Sequence, residues 1–80
     1  MRILFFGQLA ERLGREIELD VPAPCTIAEL RTQLCEAIPD AAPQLSREKA
    51  RACIDQVMVG EGALAAPDRE IAFIPPLSGG

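Results

Sequence analysis

The chain opens on Ile3-Leu4-Phe5-Phe6, four apolar residues in succession between Arg2 and Gly7. A run apolar at odd and even positions alike predicts a strand covered on both faces, and therefore a central one. From Gln8 to Leu13, the residues Leu9, Ala10 and Leu13 recur at helical spacing and Gly14 stops them. That suits a single helical turn or an irregular connection with a glycine stop. Residues Arg15 to Val21 alternate strictly, with Ile17, Leu19 and Val21 on one side. Alternation predicts a half-exposed strand, and the short link to the first run predicts an antiparallel hairpin.

Pro22 and Pro24 break this strand, and Thr26-Ile27-Ala28-Glu29 follows as a capping box that sets a helix N-terminus. Ile27, Leu30, Leu34 and Ile38 then form an apolar stripe at steps of three and four. Pro39 closes that helix. Glu29, Arg31, Gln33 and Glu36 are assigned to its solvated face. Asp40 to Lys49 is polar and contains Pro43, with room for a short helical turn. Arg51 to Ile54 reads as a strand, Asp55-Gln56 as a tight turn, and Val57 to Val59 as the returning strand. Gly60-Glu61-Gly62 and Pro67-Asp68 bracket a loop containing Leu64. Glu70 to Ile74 is the last strand, again apolar on both faces, and Pro75-Pro76 ends it.

The first and last strands are the most hydrophobic and should lie side by side in the centre of a sheet. One main helix across a mixed sheet of four to five strands gives the β-grasp arrangement, an α+β fold. Residues 1–76 form that domain, and residues 77–80 follow as a flexible tail.

Length and composition narrow the function. Eighty residues make one domain, with too little core to enclose a large substrate alone. The chain has no His, so a His-based triad or a His-ligated zinc or haem site is excluded. No metal site is expected. The net charge is −4 and there is neither Trp nor Tyr, which argues against nucleic acid as a partner. The N-terminal apolar run is too short for a signal peptide or a membrane span. Cys25, Cys35 and Cys53 are an odd number without metal-ligand spacing, and read as reduced thiols in a cytoplasmic protein.

The C-terminus is the feature that folding does not explain. With glycine at about 7% of residues, a terminal Gly-Gly arises by chance roughly once in 200 chains. Pro75-Pro76 stiffens the exit from the sheet. Leu77 to Gly80 reach about 14 Å when extended, enough to thread a narrow channel in a partner. Ser78 and Gly79 offer little bulk there, and Gly80 would present its α-carboxylate.

Met1-Arg2-Ile3-Leu4-Phe5-Phe6-Gly7, Thr26-Ile27-Ala28-Glu29-Leu30, the Asp55-Gln56 turn and Ile71-Ala72-Phe73-Ile74-Pro75-Pro76-Leu77-Ser78-Gly79-Gly80 together resemble the small-subunit family of molybdopterin synthase. That family belongs to the ubiquitin-like β-grasp sulfur carriers. The chain departs from the family's usual pattern at Asp55, where Asn is common, and at Ile74, where Phe is. The resemblance implies that Gly80 is adenylated by a ubiquitin-activating-like adenylyltransferase using ATP. It then becomes a thiocarboxylate and yields sulfur to cyclic pyranopterin monophosphate in the large subunit of molybdopterin synthase. It implies no bound cofactor, no active site in this chain, a heterotetramer, and partner contacts at Phe6, Met58, Ile74 and Leu77.

Other readings fit parts of the sequence. A thiamine-type carrier is usually shorter and lacks the Phe-x-Pro-Pro run. A protein modifier would use Gly80 to form adducts on lysines. An interaction domain would leave the tail inert. A thiol enzyme would need an activated cysteine, for which only Cys25, just before a helix N-terminus, is placed.

Overall fold

The computed structural model describes residues 1–21 and 24–76. The tail residues Leu77, Ser78, Gly79 and Gly80 lie outside them. Strand β1 (Arg2–Phe5) leads into helix α1 (Gly7–Leu13), and β2 (Glu16–Glu18) returns beside β1. A short β3 (Cys25–Thr26) precedes the main helix α2 (Ile27–Ala37), which a 3-10 helix (Pro39–Leu45) continues. Then come β4 (Arg51–Ile54), β5 (Val57–Met58), β6 (Leu64–Ala65) and β7 (Ile71–Ile74). Five strands form one mixed sheet in the order β2-β1-β7-β4-β5, and β3 pairs with β6 in a separate ribbon. The first and last strands are parallel and central, with Ile3 opposite Ile71 and Phe5 opposite Phe73.

The sheet's two faces follow from register. Ile17, Ile3, Ile71 and Ile54 form one row across four strands. Phe5, Phe73 and Ala52 form the next. Both rows face α2, whose Ile27, Leu30 and Leu34 are fully buried against them. The rings of Phe5 and Phe73 stack with centroids 6.3 Å apart. The capping box predicted at Thr26 is formed. Thr26 Oγ1 accepts from Glu29 N at 3.1 Å and Glu29 Oε1 accepts from Thr26 N at 2.8 Å. These bonds favour the ionised carboxylate and hold Glu29 below the usual carboxylate range.

Four local expectations change, and one, the short helical turn after Pro39, is met. The first strand is not covered on both faces: Leu4 is half-buried and Phe6 exposed, because the helix packs on one side only. The strict alternation of Arg15–Val21 yields only the three-residue β2, with Leu19 and Val21 beyond it packed on the core. Residues after Gly7 form a seven-residue α-helix with Leu9 buried. The polar segment after Pro39 becomes a 3-10 helix that buries Ala41 and Leu45. Leu64 lies in β6, paired with Thr26, where a loop was expected.

Arg31 is the largest correction. Assigned to a solvated face, it is buried. Its Nη1 donates to the carbonyls of Leu45 and Ala50 at 2.7 and 2.8 Å. Its Nε and Nη2 meet Glu61, and its guanidinium lies 5.2 Å from the centre of the Phe73 ring. The physical reason is that Arg31 follows Ile27 by four residues and so rides the edge of the apolar stripe. There it supplies donors to the carbonyl of Leu45, at the end of the 3-10 helix, and to that of Ala50, just before β4.

Candidate functional site

Among the described residues, the face of the sheet opposite α2 is uncovered. Met58, Cys53, Ala72, Leu4 and Glu16 form a single row across all five strands. Toward the C-terminal end of β7, Arg51 lies opposite Ile74, and Phe6 extends β1 past Phe5, its N–H donating to Phe73 O at 3.2 Å. Strand alternation puts Phe6, Leu4, Ala72, Ile74, Cys53 and Met58 on this one face. Phe6 is 49% exposed and Met58 53%, whereas Ile74 is half-buried. Of the sequence-predicted contact residues, Phe6, Met58 and Ile74 therefore share a surface. Leu77 falls outside the described residues, as do Ser78, Gly79 and Gly80.

Cys53 and Ala72, in the middle of the row, are buried. A concavity of about 520 Å³ runs beside it, lined by Leu4, Phe6, Ala10 and Arg15 among others. Charges edge the patch: Arg51 at one end, and the Arg2–Glu16 pair at 3.1 Å toward the other. An apolar centre with a polar rim is the anatomy of a protein-binding surface.

The last described residues leave from the end of this face. β7 is flanked on both sides by β1 and β4, so Ile74 is held where two strand pairings end. Pro75 then packs against Gly7. A Cβ built on Gly7 would stand 2.8 Å from Pro75 Cγ and 3.3 Å from its Cδ. Gly7 also has φ +59°, a backbone region that disfavours any side chain. Glycine at position 7 thus meets two demands at once, the positive φ and the close approach of Pro75. Sequence reasoning missed this role.

The hairpin expected at Asp55-Gln56 is present. Both residues adopt positive φ, 52° and 69°, as a two-residue type I′ connection requires. Asp55 anchors it: Oδ1 accepts from Glu70 N at 3.0 Å and Oδ2 pairs with Arg69 Nη1 at 2.6 Å. This turn carries Met58 into the outer row.

Cys25, just before the N-terminus of α2, is not placed as an activated thiol. Cys25 is buried, and burial followed by the nearby Glu29 charge pushes its thiol up. That is opposite to what an activated thiolate needs. Among the described residues no group of three His, Cys, Asp or Glu is placed to hold a metal ion, and no helix is long and apolar enough to cross a membrane.

Known proteins share this architecture and sequence. The chain is 36% identical to a protein of Caenorhabditis briggsae named molybdopterin synthase sulfur carrier subunit, covering 100% of this chain and 96% of that one. It is 35% identical to the Caenorhabditis elegans protein of the same name, with the same coverage. The crystal structure of SAMP1 from Haloferax volcanii superposes with a TM-score of 0.76 at 26% identity, covering 99% and 97% of the two chains. A second structure, of small archaeal modifier protein 1 from the same organism, has a TM-score of 0.78 at 23% identity and 95% coverage of each, a likeness of fold alone. A family model described as the ThiS family matches residues 3–80, and the chain belongs to that family.

Proposed function

We propose that the chain is the sulfur carrier subunit of molybdopterin synthase. The observation that carries this reading is full-length identity of 36% to a protein of that name, in a chain that ends Pro75-Pro76-Leu77-Ser78-Gly79-Gly80. A central strand aimed at the C-terminus, beside an exposed apolar face, supports it.

The chemistry belongs to Gly80. A carboxylate is a poor electrophile because oxide would have to leave. On a ubiquitin-activating-like adenylyltransferase the Gly80 carboxylate attacks the α-phosphate of ATP, which makes an acyl-adenylate and releases pyrophosphate. A sulfur nucleophile displaces AMP, and the product is a thiocarboxylate at Gly80. The tail, with Ser78 and Gly79 as its slender shaft, enters the large subunit of molybdopterin synthase. There the sulfur passes to cyclic pyranopterin monophosphate. Phe6, Met58, Ile74 and Leu77 hold the body of the carrier against its partners while the tail reaches in. The complex is a heterotetramer of two small and two large subunits in the cytoplasm. This chain needs no acid, base or resident cofactor, which suits a sequence without histidine.

Intact mass spectrometry tests the reading. Incubation with the activating enzyme, ATP and a sulfur donor should exchange one oxygen of the C-terminus for sulfur. A folded, enzyme-binding chain that never gains the sulfur overturns it. Covalent adducts on lysines of other proteins would assign the chain as a modifier.

A further inference from the structure

The basic residues of this acidic chain divide into two groups. Arg2, Arg31 and Arg69 are paired, with Glu16, Glu61 and Asp55. Among the described residues Arg12, Arg15, Arg47, Lys49 and Arg51 form no ion pair, and all five stand at one end of the molecule. Arg51 is opposite Ile74, the last residue of β7. The Arg15 carbonyl accepts from Phe5 N at the matching end of β1. Arg12 and Lys49 line a recess of about 380 Å³ whose wall includes Pro75 and Pro76. Arg47 and Arg51 line a second recess of about 290 Å³ around the Arg31–Glu61 pair. The first contains no acid; the second adds only Glu48 to Glu61.

We propose that these cations form a collar around the root of the tail, and that it docks on an acidic rim of the large subunit at the mouth of the channel that receives the tail. The inference rests on the sulfur-carrier reading. Unpaired guanidinium groups at an exit point gain little from folding and are available for a carboxylate. The collar is continuous with the exposed apolar face, which Arg51 edges opposite Ile74, so whatever protein covers that face also meets these cations. The chain's net charge of −4 does not cancel the collar, because screening confines each charge to about 8 Å at physiological salt. Charges on a rim act chiefly on encounter and orientation. The collar thus turns the tail toward the channel before the apolar face closes.

Association kinetics with the large subunit decide the matter. Two variants, Arg12→Ala with Lys49→Ala and Arg47→Ala with Arg51→Ala, should each lower kon about tenfold at low salt and flatten its salt dependence, with koff nearly unchanged. All four side chains are exposed, so thermal unfolding should stay close to wild type, with a small loss in the Arg47–Arg51 variant from the weaker support of Glu61. Arg69→Ala, which removes a cation at the opposite end of the sheet, should leave kon alone. Unchanged kon in the collar variants, or an equal loss in Arg69→Ala, overturns the proposal. Failure of wild type to bind the large subunit instead overturns the sulfur-carrier reading, and the collar falls with it. In the isolated protein, saturable amide shifts at Gln44 and Lys49 with inorganic phosphate below about 1 mM would reveal a free-oxyanion site and refute the partner carboxylate.

Discussion

Arg31 grips Glu61 with two parallel bonds, Nε to Oε1 at 2.9 Å and Nη2 to Oε2 at 2.6 Å. The pair ties α2 to the segment after β5, while the same guanidinium holds the carbonyls of Leu45 and Ala50. Three separate stretches of chain therefore converge on one side chain over the Phe73 ring. Removing it strands a carboxylate and two carbonyls. Arg31→Ala should cost about 3 kcal/mol, the penalty typical of breaking a buried pair. Arg31→Lys should recover little of it, since an ammonium does not reproduce the fork. Chemical denaturation of both variants checks this.

Glu61 makes the same contact sensitive to acid. Hydrogen bonding to Arg31 holds its carboxyl below the usual carboxylate range, against the opposing effect of burial, with further help from the Arg31, Arg47 and Arg51 charges. A folded-state value below the unfolded one gives stability that is present above the unfolded pKa and lost as pH falls through the folded one. Wild type should therefore lose stability below about pH 4.3. Glu61→Gln should be less stable at neutral pH and show a smaller loss on acidification. Parallel slopes for the two proteins would contradict the assignment.

Gly7 and Pro75 give a second test. Gly7→Ala forces a Cβ into positive φ and to within 2.8 Å of Pro75 Cγ. The left-handed backbone alone costs about 1–2 kcal/mol. The melting temperature should drop by several degrees. If the contact also aims the tail, sulfur transfer measured well below the melting point should slow as well.

The Asp55-Gln56 turn points the other way. Gln56 holds φ 69° without a glycine. Gln56→Gly should stabilise the domain by about 1 kcal/mol and raise its melting temperature by about 4–8 °C. Asp55→Asn keeps a residue tolerant of that backbone but loses the Arg69 ion pair, an exposed contact that contributes at most about 1 kcal/mol. Its melting temperature should fall by at most about 4–8 °C.

On the outer face, Phe6→Asp and Met58→Asp place charges where the side chains are already exposed. Both variants should fold as wild type does and lose affinity for the large subunit by at least tenfold, as loss of an apolar anchor does. Retained affinity would move the docking surface elsewhere.

Much of this was legible in the chain itself. The capping box at Thr26, the stripe on α2, the turn at Asp55 and the central pairing of the first and last strands each depend on residues near in sequence or on plain hydrophobicity. The Gly79-Gly80 pair behind Pro75-Pro76 announced itself because such an ending is rare by composition. Other features escaped because their causes are distant. Leu64 pairs with Thr26 only once β6 is brought alongside β3. Gly7 matters because Pro75 arrives beside it.

Arg31 shows where local pattern stops. Its spacing from Ile27 placed it at the margin between the apolar stripe and solvent, and helical periodicity cannot say which side of that margin wins. Folding settled it by delivering Glu61 and the carbonyls of Leu45 and Ala50 to one point. The same holds for the exposed face. Alternation marked Leu4, Phe6, Ala72 and Ile74 as apolar, but a strand rich in apolar residues is silent about which face the helix takes. With one main helix and five strands, one side of the sheet is covered and, among the described residues, the other remains open, and that asymmetry exposes apolar residues such as Phe6 and Met58 that would otherwise be core.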